Sequence, residues 1–205
     1  MNENSIRNEQ SMIRSDKPLF VNTFRVLRPI EFDKLCNAVV KQNKKEMLQA
    51  CLVTGARYVE MQRIKDNPDW YDPTTPCIHL PVIADRKHKR TQKGRDIRLN
   101  RIGSLIIDRY LNLDDHLPPV RTWNNNIKSW AIKAGIGAIG LSQKTTRKTW
   151  ECWLMQQYPD YVYQICTSQG HDTITSLQFY QGVVFNDIDV DEMPQYTEGW
   201  KPRIR

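Results

Sequence analysis

Gly170-His171-Asp172-Thr173-Ile174-Thr175-Ser176-Leu177-Gln178-Phe179-Tyr180 is the most informative stretch of this 205-residue chain. A glycine and histidine lead into a polar turn, then into a Thr/Ser-rich helix start, and a tyrosine stands nine residues after the histidine. Hydroxyl side chains satisfy the free amides of a first helical turn, so a short helix is predicted over Thr173 to Gln181. A half-buried tyrosine or a helix-capping histidine would each be ordinary alone. Their occurrence together with two other segments carries the reading.

The first of these, working backward, is Lys144-Thr145-Thr146-Arg147-Lys148-Thr149-Trp150. It opens a helix predicted from Thr145 to Tyr158. Residues three apart share a helix face, so Lys144 and Arg147 can address one anion together, helped by the positive end of the helix dipole. The second is Thr54-Gly55-Ala56-Arg57-Tyr58-Val59-Glu60. Its glycine can take the left-handed backbone that ends a helix, which would aim Arg57 into the space beside the next turn.

Between these two arginine-bearing segments, Arg86, Lys87, Lys89, Arg90, Lys93, Arg95, Arg98 and Arg101 bring eight positive charges, with Asp96 the sole acid among them. They lie on and beside a predicted β-hairpin, whose strands are expected at Cys77 to Ile83 and Asp96 to Leu99. Read without the other segments, it would be a solvated loop.

Outside these segments helix dominates. Phe32, Leu35, Val39 and Val40, then Met47, Leu48, Cys51 and Leu52, recur at three- and four-residue intervals, which predicts two helices after Pro29 sharing an apolar face. Helical periodicity returns at Ile102 to Leu113, Thr122 to Ala134 and Tyr161 to Ser168. The expected fold class is α+β, mainly helical, with a small antiparallel β-sheet at one edge. Residues 1–24 read as a flexible N-terminal arm, 25–187 as the folded domain and 188–205 as a C-terminal tail, acidic at first and ending in a basic stub.

Composition narrows the class further. The chain holds 30 Lys+Arg against 23 Asp+Glu, a formal net charge of +7, and is 40% hydrophobic. That apolar content is too high for a disordered chain, and no run approaches the roughly 20 apolar residues of a membrane helix. Met1 to Lys17 is polar, without a secretory or transit pattern, so a cytoplasmic location is expected. Cys36, Cys51, Cys77, Cys152 and Cys166 are an odd number, widely spaced, and read as reduced and buried. His79, His88 and His116 have no partner spacing that argues for a metal, and no cofactor is expected. Trp130, Trp150 and Trp153 fall in helical apolar patterns and read as core.

Taken together, the three segments resemble the catalytic domain of the tyrosine recombinases, the lambda-integrase family, and within it archaeal and viral integrases. The likeness spans about residues 25 to 185. The family's T-G-x-R-x-x-E block is matched by Thr54, Gly55, Arg57 and Glu60. Its H-x-x-R block is matched at Arg147, with Lys144 where a histidine usually stands. Its G-H block, with the nucleophile nine residues on, is matched by Gly170, His171 and Tyr180.

The resemblance implies a site-specific recombinase or integrase of a virus or other mobile element, acting on double-stranded DNA as a homotetramer. Tyr180 would be the nucleophile, forming a 3′-phosphotyrosyl enzyme without metal or ATP. Arg57 and Arg147 would stabilise the charge on phosphorus, and His171 would bond a nonbridging oxygen. A hairpin lysine would be the acid, Lys89 or Lys93, with Lys89 taken first. Lys144 would bind the phosphate or carry a proton. Glu60 would brace the Arg57 region without touching substrate. Lys89, Arg90, Lys93, Arg95 and Lys148 are the expected DNA-binding cations, and residues 188–205 would dock on a neighbouring subunit.

Family members commonly carry a separate helical domain that closes the other side of a clamp around the duplex. Some 24 residues precede the first predicted helix here, so a minimal enzyme and the catalytic fragment of a longer one are both open. Two other functions compete. A DNA-binding protein on the same fold that no longer cuts would have lost the tyrosine or an arginine. A basic RNA-binding module would carry exposed aromatics on its strands, and the predicted strands here are poor in aromatics.

Overall fold

The spacing of Met47, Leu48, Cys51 and Leu52 does produce a helix, and that helix is the centre of the molecule. The computed structural model describes residues 17–82, 94–170 and 183–200. Two short strands, β1 (Leu19–Val21) and β2 (Phe24–Val26), form an antiparallel hairpin. It lies partly within the segment read as an arm. Leu19, Phe20 and Val21 supply the apolar side chains, and Asn22 takes the positive φ at the turn.

Helix α1 (Pro29–Asn37) follows, then the central α2 (Gln42–Thr54). Nearly all of the second half of α2 is buried, from Met47 to Thr54, as befits a helix enclosed by others. Val40, counted above among the apolar-face positions, lies in the link between α1 and α2 and is exposed. Next come α3 (Tyr58–Asp66), a sheet of β3 (Tyr71–Asp72), β4 (Cys77–Leu80) and β5 (Arg95–Arg98) in that order, and α4 (Arg101–Leu111). All pairings in the sheet are antiparallel. β3 is only two residues long, too short for an alternation pattern to reveal it.

The chain continues through α5 (Val120–Lys133), α6 (Thr145–Gln157) and α7 (Val162–Gln169). α2 packs against α4 and α6, β2 against α6, and α7 against both α6 and β5. The tryptophans read as core are core: Trp150 and Trp153 are fully buried, and Trp130 packs edge-on to the buried Trp123. The Trp153 indole N–H donates to the Leu27 carbonyl at 2.9 Å, so its one polar atom is satisfied. All five cysteines are free and buried.

The segment written above as a tail is, from Asp187 to Trp200, a packed part of this same chain. Helices α8 (Asp187–Glu192) and α9 (Pro194–Thr197) lie against α1 and α6. Asp189 is buried and ion-paired with Arg28. Trp200 is buried beside Tyr158 and donates to the Arg98 carbonyl at 3.1 Å. Asn100 joins this segment to the sheet. Its side-chain oxygen caps α4 through Gly103 N–H, and its amide donates to the Tyr196 and Glu198 carbonyls at 2.7 and 2.9 Å. Among the described residues no helix is long and apolar enough to cross a membrane.

Candidate active site

The Thr54-Gly55-Ala56-Arg57 turn is built as its residue types require. Thr54 Oγ1 donates to the Ala50 carbonyl at 2.8 Å and accepts the Ala56 N–H at 3.2 Å, which closes the end of α2 on itself. Gly55 sits at φ 55°, and a Cβ there would lie 2.5 Å from the Gln169 side chain and 2.7 Å from Trp150. Only glycine fits both the backbone and the space. The chain then turns into α3 with Arg57 at its N-cap.

Glu60, three residues on, is the hub of the site. Its Oε2 accepts the Arg57 backbone N–H at 2.7 Å, one half of a capping box. Its Oε1 accepts Arg57 Nη1 at 2.7 Å, and the same two oxygens accept Arg95 Nη1 and Nη2 at 2.9 and 2.6 Å. Four donors fill the capacity of the carboxylate. Burial alone would raise the Glu60 pKa, but the Arg95 bonds and charge, with Arg57, hold it down at about 2. It is ionised throughout the neutral range.

This placement corrects the reading of Arg95. Expected as a DNA-facing cation, it is buried, with its side chain 6% exposed and its guanidinium committed to Glu60 and to the Ser168 carbonyl. The signal was in the sequence: along β5, Arg95 alternates with Ile97, which faces the core, so both point inward.

Arg147, in the first turn of α6, is buried as well. Its Nη1 donates to the Gly55 carbonyl at 2.9 Å and its Nη2 to the Gln169 carbonyl. Burial, and then the charge of Arg57, pulls its pKa down to about 10, which leaves it charged at neutral pH. Arg57 Nη2 donates to the Gly170 carbonyl at 3.1 Å, and its side chain stays 42% exposed. Three successive carbonyls, Ser168, Gln169 and Gly170, thus receive one guanidinium each, from Arg95, Arg147 and Arg57. They sit at the C-terminal end of α7, where the helix dipole is negative and favours cations.

Gly170 has φ 65°, and a Cβ on it would meet the Arg95 side chain at 3.0 Å. The glycine of the Gly170-His171 pair is therefore required by the arginine behind it. Gln169, which fills the space against Gly55 and reaches toward the Thr54 carbonyl at 3.4 Å, has no signature in the sequence.

Lys144 is exposed at the N-cap of α6, and its ammonium lies 4.6 Å from the centre of the Phe24 ring, a cation–π contact from β2. Lys148 is half-buried one turn on, and burial lowers its ammonium pKa while the Glu151 charge opposes this. Lys89, Arg90, Lys93, His171 and Tyr180 lie outside the described residues.

The arrangement presents one exposed and one buried guanidinium close together, Arg57 held by the Glu60 carboxylate and the Gly170 carbonyl and Arg147 by the Gly55 and Gln169 carbonyls. Such a pair can bind and neutralise an oxyanion without reorganising. The fold around it, mainly helical with small antiparallel sheets, has a counterpart among solved structures. The chain is similar to a structure described as the crystal structure of XerA recombinase, with a TM-score of 0.59 and 20% sequence identity. The match covers 87% of this chain and 66% of that one, so this chain spans just under two thirds of its length. No family model matches the sequence, and no curated protein matches it.

Proposed function

We propose that this chain is a DNA recombinase of the tyrosine type, breaking and rejoining strands by transesterification. One observation carries the reading. Arg57 and Arg147, ninety positions apart, converge on the adjacent carbonyls of Gly170 and Gln169, and His171 follows directly in sequence. That is the placement a scissile phosphate would need, with Tyr180 nine residues further along the chain. The likeness in fold to a recombinase at low identity supports the same class.

In the proposed reaction the Tyr180 phenolic oxygen attacks phosphorus, forming the phosphotyrosyl bond as the bond to the 5′-oxygen breaks. Charge building on the nonbridging oxygens is met by Arg57 and Arg147, with His171 as a further donor. The phenol, with a pKa of about 10, loses its proton during attack, and the departing 5′-oxygen gains one from the hairpin lysine, Lys89 or Lys93. The phosphodiester energy is kept in the covalent bond, so rejoining to a second strand needs neither ATP nor a metal. Lys144, resting on Phe24 at the mouth of the same helix start, would contact the DNA backbone beside the scissile phosphate. Double-stranded DNA at a specific site is the substrate, synapsed by four copies, in an integrase of a mobile element or virus.

The test is a covalent adduct. The protein is incubated with a nicked duplex carrying its candidate attachment site and run on a denaturing gel. An adduct in wild type that is absent in Tyr180→Phe and strongly reduced in Arg147→Lys supports the proposal. DNA binding with no adduct in wild type, on a site verified by footprinting, would overturn it in favour of a non-cutting DNA-binding protein.

A further inference from the structure

The three-stranded sheet has a second face that the proposed reaction does not use. Ile78, Leu80 and Ile97 are buried against the core. Strand alternation therefore places Cys77 and His79 of β4, with Asp96 and Arg98 of β5, on the opposite face. The register sets His79 opposite Asp96, and Cys77 between Arg98 on one side and Asp72 of β3 on the other.

On this face the Cys77 thiol, a ring nitrogen of His79 and a carboxylate oxygen of Asp96 all lie within 4.8 Å of one another. His79 Nδ1 is 2.7 Å from Asp96 Oδ1, and both side chains are about half exposed, at 56% and 54%. Solvent thus reaches two of the three donors, while the third sits at the floor. The surrounding charge favours a cation even though the chain as a whole is +7. Asp72 and Asp96 outnumber Arg98. The Asp72 carboxylate accepts bonds from Thr74 and Thr75 at 2.6 to 2.8 Å.

We propose that Cys77, His79 and Asp96 form a binding site for a borderline-soft divalent cation of the zinc class, joining β4 to β5. Thiolate, imidazole and carboxylate are the three side-chain types such an ion takes, whereas calcium and magnesium reject sulfur and nitrogen. Bond lengths of about 2.0 to 2.3 Å put tetrahedral donors roughly 3.3 to 3.8 Å apart. The three donors, now within 4.8 Å of one another, would close to that spacing on binding. The thiol proton leaves to solvent as sulfur binds, and the hydrogen bond between His79 and Asp96 opens. Three protein donors leave a fourth position for water. Asp96 adjoins Arg95, so the ion would stiffen the strand that holds Arg95 against Glu60. The site does not depend on the recombinase reading.

Cobalt(II) alone, titrated into the full chain under reducing, chelator-cleared conditions, is the probe. The expected result is a near-ultraviolet thiolate-to-cobalt band with visible bands of tetrahedral intensity, saturating at one ion per chain and erased by Zn2+. Cys77→Ser should lose the near-ultraviolet band. His79→Ala and Asp96→Asn, both at exposed positions, should weaken binding by about tenfold or more with unchanged circular dichroism. A band that persists in Cys77→Ser, no saturable binding in wild type, or unaltered affinity in both His79→Ala and Asp96→Asn would overturn the proposal. If Cys77→Ser fails to fold, the two surface variants decide.

Discussion

Glu60 grips Arg95 with both carboxylate oxygens, at 2.9 and 2.6 Å, while the same oxygens hold the side chain and backbone of Arg57. A residue in the first turn of a helix and one on a strand, 35 positions apart, are thereby fixed to each other and to the arginine at the mouth of the site.

Replacing Glu60 by Gln should cost far more than a surface ion pair. It leaves the buried Arg95 guanidinium without its counter-charge, a loss of about 3 to 5 kcal/mol for buried pairs. Urea denaturation of Glu60→Gln measures this. A loss under about 1 kcal/mol would mean that Arg95 reaches water in solution.

Acid stability should carry the same signature. The Glu60 pKa is depressed, to about 2 in the fold from an ordinary 4.5. Its stabilisation is therefore complete above about pH 4.5 and lost as pH falls from there toward 2, an effect on the order of 3 kcal/mol. Denaturation midpoints followed from pH 6 down to 2 should fall less steeply in Glu60→Gln than in wild type. Parallel curves would reject the assignment.

Gly170→Ala should be more damaging than Gly137→Ala. Both glycines have positive φ, but the added methyl meets Arg95 at 3.0 Å in the first and nothing within 4 Å in the second. Backbone strain alone accounts for about 1 to 2 kcal/mol, so thermal melts should show an additional loss only in Gly170→Ala. Equal melting temperatures would show that Arg95 moves aside freely.

Trp200→Ala distinguishes a detachable tail from a packed one. The indole is buried and its N–H bonds the Arg98 carbonyl, so truncation should cost about 3 to 5 kcal/mol. A wild-type melting temperature in the isolated chain would indicate that residues 187–200 leave the surface readily.

Much of this was legible from spacing. Helical periods located α1 and α2 and gave α4 to α7 nearly to their ends, because each has an apolar stripe long enough to count. Gly55 could be placed because a left-handed backbone at a helix end has few alternatives, and Gly170 takes the same role at the end of α7. What escaped depends on partners remote in the chain. Arg95 was misread because eight cations in a row look like one solvated surface, although alternation with Ile97 turned this one inward. The β1–β2 hairpin is too short for a pattern, and Phe24 under Lys144 could not be foreseen without it. Nor does histidine spacing along the chain reveal His79 beside Asp96 and Cys77, since strand register alone brings them together. The buried Trp200 and Met193 sit in a stretch so acidic that composition made it look detached from the core.

The last turn of α7 has a consequence for anyone redesigning this protein. Arg57, Arg95 and Arg147 share one short peptide as their anchor, at the carbonyls of Gly170, Ser168 and Gln169. A substitution that tilts this turn displaces all three cations together. Mutational effects at these positions will be strongly non-additive, and an attempt to retune a single arginine by altering its neighbours will retune the other two.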